Sequence, residues 1–419
     1  MKKILRISVL TLLFFTPLLF TTNTREVFEF PKMFFVYTMS LVLVTLFLVD
    51  LVLRPRKPKG FPLVLMVYLG AFVFATLLSS HLYTSIWGYY TRFNGGLLSV
   101  LSYFGIYFVI VNTFTLSERK GLLKLFLLTL VPISIYGILQ HFGITFLNWK
   151  ADPQVRAFST FGQPNWLAQY LAMLLLLVLH FSLKEKKFFW STVYLLGFAC
   201  LWFSYSMSGI LGFVFSLFLF VFLQYKRSLL NKKTFIHLVV LGVLSFSIAL
   251  SQPGIFGARL HDVMLESRRL FGLVQKVYAL DKGIDSYVIS DPGFIRTTLW
   301  SGTLDLIKSS PKVFIMGSGP GTFPYAFQKF RPLDLNYSSE WNYVFNKPHN
   351  YYLELWAELG LLGLGSFLVL VLWFMFKAAQ SGSYYLLPGI CAFLVTNIFG
   401  WPVVGTMLVW YLWLSLAAD

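Results

Sequence analysis

Long apolar runs alternate with short polar connections along most of the chain. Runs long enough to cross about 30 Å of hydrocarbon at about 1.5 Å per residue occur near residues 4–21, 34–53, 61–80, 97–116, 122–141, 164–183, 188–205, 209–225, 234–251, 350–376, 384–399 and 403–418. The pattern predicts an all-α polytopic membrane protein with about twelve transmembrane helices. About nine fall in an N-terminal bundle over residues 1–251 and about three in a C-terminal group over 350–419, separated by one long polar connection over 252–349. The first run follows Lys2, Lys3 and Arg6 as a secretory leader would. No small-x-small cleavage site follows it, so it reads as a retained span.

The long connection is the only segment large enough for an extramembrane subdomain. Its stretch DPGFIRTTLWSGTLDLIKSSP places Asp291 as an N-cap, Pro292 at the first helical position, and Ile295, Leu299, Trp300 and Ile307 at helical spacing before a Ser-Ser-Pro stop. This predicts an amphipathic helix lying on the membrane interface or on the helix bundle. Fixed-period repeats and low-complexity segments are not evident.

Composition agrees with the pattern: 57% of residues are hydrophobic and 12% charged, too apolar for a water-soluble core. The net charge of +17 would suggest a nucleic-acid partner in a soluble chain. Here the cations cluster in every second connection, at Arg54/Arg56/Lys57/Lys59, Arg119/Lys120/Lys124, Lys184/Lys186/Lys187, Lys226/Arg227/Lys232/Lys233 and Lys377, in phase with the basic N-terminus. By the positive-inside rule those loops and both termini are cytoplasmic, the long connection is external, and the charge reports topology rather than nucleic acid. Arg25, Lys32, Arg92, Lys150 and Arg156 then stand isolated on the external side. Cys200 and Cys391 sit inside apolar runs and form no disulfide framework.

Chemistry concentrates at the external mouth of the run that begins near residue 350. His349 precedes it, where free N–H groups and the positive end of the helix dipole would keep an imidazole neutral and able to accept a proton. Glu354 and Glu358, spaced i and i+4, share one face. They either face the bundle with a role in the site or pair with arginines for packing. Arg296 falls in the second turn of the predicted amphipathic helix. It is either a solvated cation on the polar face or, with the helix N-terminus, a site for an anion such as a diphosphate. The glycine-rich turn GSGPGTF, with Gly319 and Gly321, follows no strand and matches neither nucleotide fingerprint. An Asp-x-Asp pair for a metal–diphosphate bridge is missing from the chain, which leaves any diphosphate to arginines, with Arg92 and Arg156 as further candidates.

Several stretches together resemble the O-antigen ligase and polymerase family of membrane glycosyltransferases: RTTLW, MGSGPGTF and HNYYLELWAELGLLGL, preceded in order by WGYYTRFNGGLL, YGILQHFG, STFGQPNWLAQYL and SYSMSGILG. The resemblance implies a GT-C-like, inverting enzyme of the bacterial inner membrane with its active site on the periplasmic face. Such an enzyme moves a glycan from undecaprenyl diphosphate to an acceptor hydroxyl, on lipid A core or a similar molecule, without metal, nucleotide or other cofactor. It implies that His349 activates the acceptor and that Arg296 binds the donor diphosphate, with Arg156 and Arg92 as further donor-binding candidates and Glu354, Glu358, Asn350, Gly319 and Gly321 in support. One departure stands out, since the family usually carries an arginine where this chain has Met207. The layout with one late external segment favours a ligase over a polymerase, and a protein glycosyltransferase is the further alternative. A lipid or polysaccharide transporter, the competing class, would place charges near the bilayer midplane and show inverted repeats.

Overall fold

A computed structural model describes residues 1–185, 187–252, 292–380 and 382–417. Every apolar run is helical. In the N-terminal part, α1 (Lys2–Phe15), α2 (Glu29–Leu53), α3 (Leu63–Leu77), the short α4 (Leu82–Trp87), α5 (Leu97–Thr113), α6 (Leu116–Leu128), α7 (Leu130–His141), α8 (Pro164–Lys184), α9 (Lys187–Phe203), α10 (Met207–Lys226) and α11 (Lys232–Leu250) follow in order. The C-terminal part holds α12 (Pro292–Lys308), α13 (Pro311–Met316), α14 (Phe323–Ala326), α15 (Tyr351–Gln380), α16 (Leu387–Thr396) and α17 (Val404–Leu416). Among the described residues six helices are long and apolar enough to cross a membrane, beside shorter apolar helices of 10–17 residues. All regular structure among the described residues is helical, and the protein is a multi-pass membrane protein.

The helix α8 is the hub. It is apolar all round, as a helix surrounded by others must be, and nearly all of it is buried between α9, α10 and α16. A second group joins α2, α5 and α17, and α15 lies along α3. The predicted amphipathic helix exists as α12. Of the two resting places open to it, the apolar face takes a protein partner: Ile295, Leu299, Leu306 and Ile307 pack with Phe323, Phe327, Leu335, Phe345 and Ala357 in a small separate core. Its expected N-cap, Asp291, lies outside the described residues.

Three expectations need correction. The run from residue 350 is not one uninterrupted helix, because Gly360 breaks it with φ 69 and ψ −172. A Cβ there would lie 2.2 Å from the Ile315 carbonyl, so the break is where the end of α13 presses in. Lys32 is not in an external loop; it is fully buried in α2 and donates to the carbonyls of Phe28 and Thr160 at 3.1 and 2.7 Å. Arg119 is likewise no loop cation, since it is buried in the first turn of α6, where Nε donates to the Phe114 carbonyl at 3.0 Å and Nη1 to that of Ser415.

Candidate active site at the mouth of the helix bundle

Residues 347–350 lead the chain from the polar segment into α15. Asn350 caps that helix, its Oδ1 accepting from Tyr352 N at 3.0 Å and Leu353 N at 3.1 Å, which satisfies two of the donors a helix start leaves free. The turn is fixed from both sides: Trp300 Nε1 on α12 donates to the Pro348 carbonyl at 3.0 Å, and Tyr351 N to the Asn397 carbonyl at 2.9 Å. Between these anchors His349 is held at φ 55, a left-handed conformation that costs a non-glycine residue energy and persists only where neighbours enforce it. Its half-buried ring meets Trp401 edge to face at 4.9 Å. Burial, then the positive charges of Arg296 and Arg92, lower its pKa from 6.5 to about 4. The imidazole is therefore neutral near pH 7, as the sequence suggested. The leading causes are enclosure and arginines rather than the helix dipole.

Three separate segments bring the three arginines to this end of the bundle, Arg92 and Arg296 within the field of His349 and Arg156 within that of Arg296. Arg92, in the loop after α4, lays its guanidinium over Trp166 at 4.8 Å and near Trp401 at 5.9 Å, and its buried Nε has no hydrogen-bond partner among the described residues. Arg156 donates from Nε to the Ser204 carbonyl at 3.3 Å and from Nη2 to Asn165 Oδ1 at 3.0 Å, an oxygen that also accepts from Ser206 Oγ at 2.8 Å. Burial first and the charge of Arg296 second push the Arg156 guanidinium below its ordinary pKa. Arg296 is thus felt by both His349 and Arg156, and also by Glu340. A small cavity beside His349 is floored by Asn165, Ser208 and Trp401. Crowding guanidiniums in a partly desolvated site is costly by Coulomb's law, so the arrangement calls for an anion.

The two carboxylates face the bundle, but neither pairs with an arginine. Glu354 forms an ion pair with Lys347, and both are largely buried. Burial alone would lower the Lys347 pKa; the charges of Glu354 and Glu358 outweigh it and hold the ammonium above its ordinary value. Glu358 organises the glycine-rich turn: Oε2 accepts from Gly321 N at 2.8 Å and Oε1 from Phe323 N at 3.2 Å. Ser318 N and Gly319 N donate to the Ala357 and Glu358 carbonyls at 2.9 Å each, groups that the Gly360 break deprives of helical partners. The amides of GSGPGTF are thus engaged by α15, and the turn supports the helix break rather than presenting an open cradle. Ser80 N and Ser85 Oγ tie the same turn to the start of α4 through the Ser318 and Pro320 carbonyls, both at 2.9 Å.

Sequence reasoning missed Trp401, Trp166, Glu29 and the pairing of Lys347. Glu29, at the start of α2, is 1% exposed, and its Oε2 accepts from Val404 N at 2.9 Å at the start of α17. A carboxylate three residues before a lysine at the edge of an apolar run was the available signal.

A family model described as O-antigen ligase matches residues 190–368, and it is the family that the motifs resemble. The match begins at α9 and ends in α15, so it contains Arg296 and His349 and leaves Arg92 and Arg156 upstream. Glycan transfer of the ligase or polymerase type, from a lipid-linked glycan to an acceptor in a membrane, is what this family implies. No curated protein and no solved structure matches the chain.

Proposed function

We propose that the protein is an O-antigen-ligase-like enzyme that transfers a glycan from undecaprenyl diphosphate to an acceptor hydroxyl, on lipid A core or a similar molecule, at the periplasmic face of the bacterial inner membrane. One observation carries the reading: a neutral imidazole, His349, within the field of Arg296 and Arg92 at the mouth of a helix bundle. The polyprenyl tail stays in lipid while Arg156 and Arg296 hold the diphosphate, with Arg92 beside them. As the bond between the sugar C1 and its phosphate oxygen breaks, the guanidiniums stabilise the charge left on the diphosphate. The acceptor hydroxyl attacks C1 from the opposite face, which inverts the anomeric centre. His349 removes its proton.

Arg156 also accounts for Met207. Its Nε reaches the Ser204 carbonyl in the turn just before Met207 at the head of α10, so a guanidinium serves this turn although the family's arginine is absent. A single long external segment supports a ligase over a polymerase. The test is deletion of the gene in its host. Full-length polymer accumulating unattached on undecaprenyl diphosphate is the expected outcome, whereas single repeat units on the lipid would install a polymerase.

A further inference from the structure

A second cavity, of about 80 Å³, opens at the same end of the bundle and shares Trp401 with the one beside His349. That is several times the room one water needs. Its walls include α2, α3, α5, α15 and the loop after α4. They carry three carboxylates, Glu29, Glu354 and Glu358, with Arg92 and Lys347. Glu358 spends both oxygens on backbone amides. The others do not: Glu29 Oε1, Glu354 Oε2 and Arg92 Nε are buried and have no partner among the described residues. Glu29 and Glu354 are 1% and 6% exposed, and a buried carboxylate oxygen without a donor is expensive.

The chemistry of these free atoms selects a ligand. Two carboxylate oxygens want O–H or N–H donors and repel an anion, so the diphosphate does not belong here. A bare metal ion does not fit either, because no three His, Cys, Asp or Glu side chains among the described residues converge closely enough to hold one. Arg92 Nε asks for an acceptor oxygen, which a sugar hydroxyl or ring oxygen can supply. Tyr89, Tyr103 and Trp401 supply aromatic wall, against which the C–H face of a sugar ring can lie. A hydroxyl-rich sugar ring meets all of these demands, whereas a phosphate meets only that of Arg92 Nε and is repelled by the two carboxylates.

We infer that this cavity is a glycosyl subsite, in which Glu29 Oε1 and Glu354 Oε2 accept hydrogen bonds from the hydroxyls of a sugar next to the transferred bond. This rests on the glycosyltransferase reading and adds Glu29 as a specificity-determining residue. Arg92 and Trp401 divide the work, with the anion on the His349 side and the neutral ring on the Glu29 side.

Two probes and two variants test it on the full-length protein in nanodiscs. The probes are the oligosaccharide mixture released by mild acid from the host's envelope glycan, and undecaprenyl diphosphate carrying no sugar. Glu29→Gln keeps an oxygen for Val404 N and replaces the free one with an amide donor. Asn346→Leu, at a half-buried loop position on the same cavity, guards against misfolding of the first. Both variants are expected to weaken oligosaccharide binding at least tenfold and to leave binding of the bare diphosphate lipid unchanged. In steady-state transfer, a rise in KM for the donor alone or for the acceptor alone tells which sugar occupies the cavity. Oligosaccharide that binds wild type and both variants equally, or does not bind wild type at all, overturns the subsite. Failure of wild type to bind the bare diphosphate lipid overturns the glycosyltransferase reading instead, while the oligosaccharide arm is still read.

Discussion

Cations gather at both ends of the helix bundle, and the company they keep differs. At the end bearing the basic connections several are paired. Arg6 on α1 meets Glu118 on α6, Lys124 meets Glu185 at 2.6 Å, Arg56 meets Asp50 at 2.8 Å, and Arg227 donates to the Ala379 carbonyl at 3.2 Å. At the other end Arg92 rests on tryptophans and leaves Nε unmatched, and the charges of Arg92 and Arg296 both bear on one histidine. The same residue types thus do two jobs. Paired, partly exposed cations add little stability; under the proposed function, the guanidiniums near the imidazole are there for an anion to join them.

The contrast breaks most severely at His349. His349→Ala is expected to lower transfer by about 10²–10⁴-fold, the usual worth of a general base, while Arg6→Ala at the opposite end leaves the rate unchanged; initial rates with purified protein and lipid-linked donor decide it. Gly360→Ala comes next. With φ 69 and the Ile315 backbone 2.2 Å from a new Cβ, it should cost about 3 kcal/mol and lower Tm in a detergent melt. The turn that Glu358 holds should loosen with it. Arg156→Lys should raise the donor KM about tenfold, because an ammonium lacks the planar fork that grips two phosphate oxygens. Full activity with lysine would refute a two-pronged grip.

A pH profile sharpens the same comparison. With its pKa lowered to about 4, the His349 base is available above that value and lost as pH falls through it, so kcat/KM should be flat near neutrality with an acid limb near pH 4. The sign for stability is the same: the contribution of the neutral ring is complete above the ordinary 6.5 and is lost as pH falls through about 4. Arg296→Gln removes one of the cations that depress this pKa and should move the limb upward. A limb that stays in place would show that burial and Arg92 set it without Arg296. The smallest effect belongs to the opposite end, where Lys124→Ala breaks a pair whose side chains are 37% and 42% exposed and should change stability by about 0–1 kcal/mol.

The helices were legible because apolar length alone marks a run that lipid or a bundle must cover. The break at Gly360 was not, because the end of α13, far earlier in the chain, imposes it; contact with Ile315 and Met316 tells this glycine from the others in its helix. His349 and the arginines could be read as chemically odd positions near helix ends, and the fold was needed to bring Arg92 and Arg296 to one ring and Arg156 near Arg296. Glu354 and Glu358 could be read as bundle-facing, since charge in an apolar helix needs shelter. Their partners could not, because Lys347 and the amides of Gly321 and Phe323 reach them only through the folded turn. Trp401 is one of 12 tryptophans in an apolar chain, and nothing in its spacing sets it apart.

The central claim is that Arg156 and Arg296 hold a diphosphate beside a neutral base. Its most direct test is equilibrium binding of undecaprenyl diphosphate to nanodisc-embedded wild type, to Arg156→Gln and Arg296→Gln, and to Arg6→Gln and Lys124→Gln from the paired end. The account predicts at least tenfold weaker binding for each of the first two variants and wild-type binding for the last two. Equal binding by all four variants, or loss on changing the paired end alone, would contradict it.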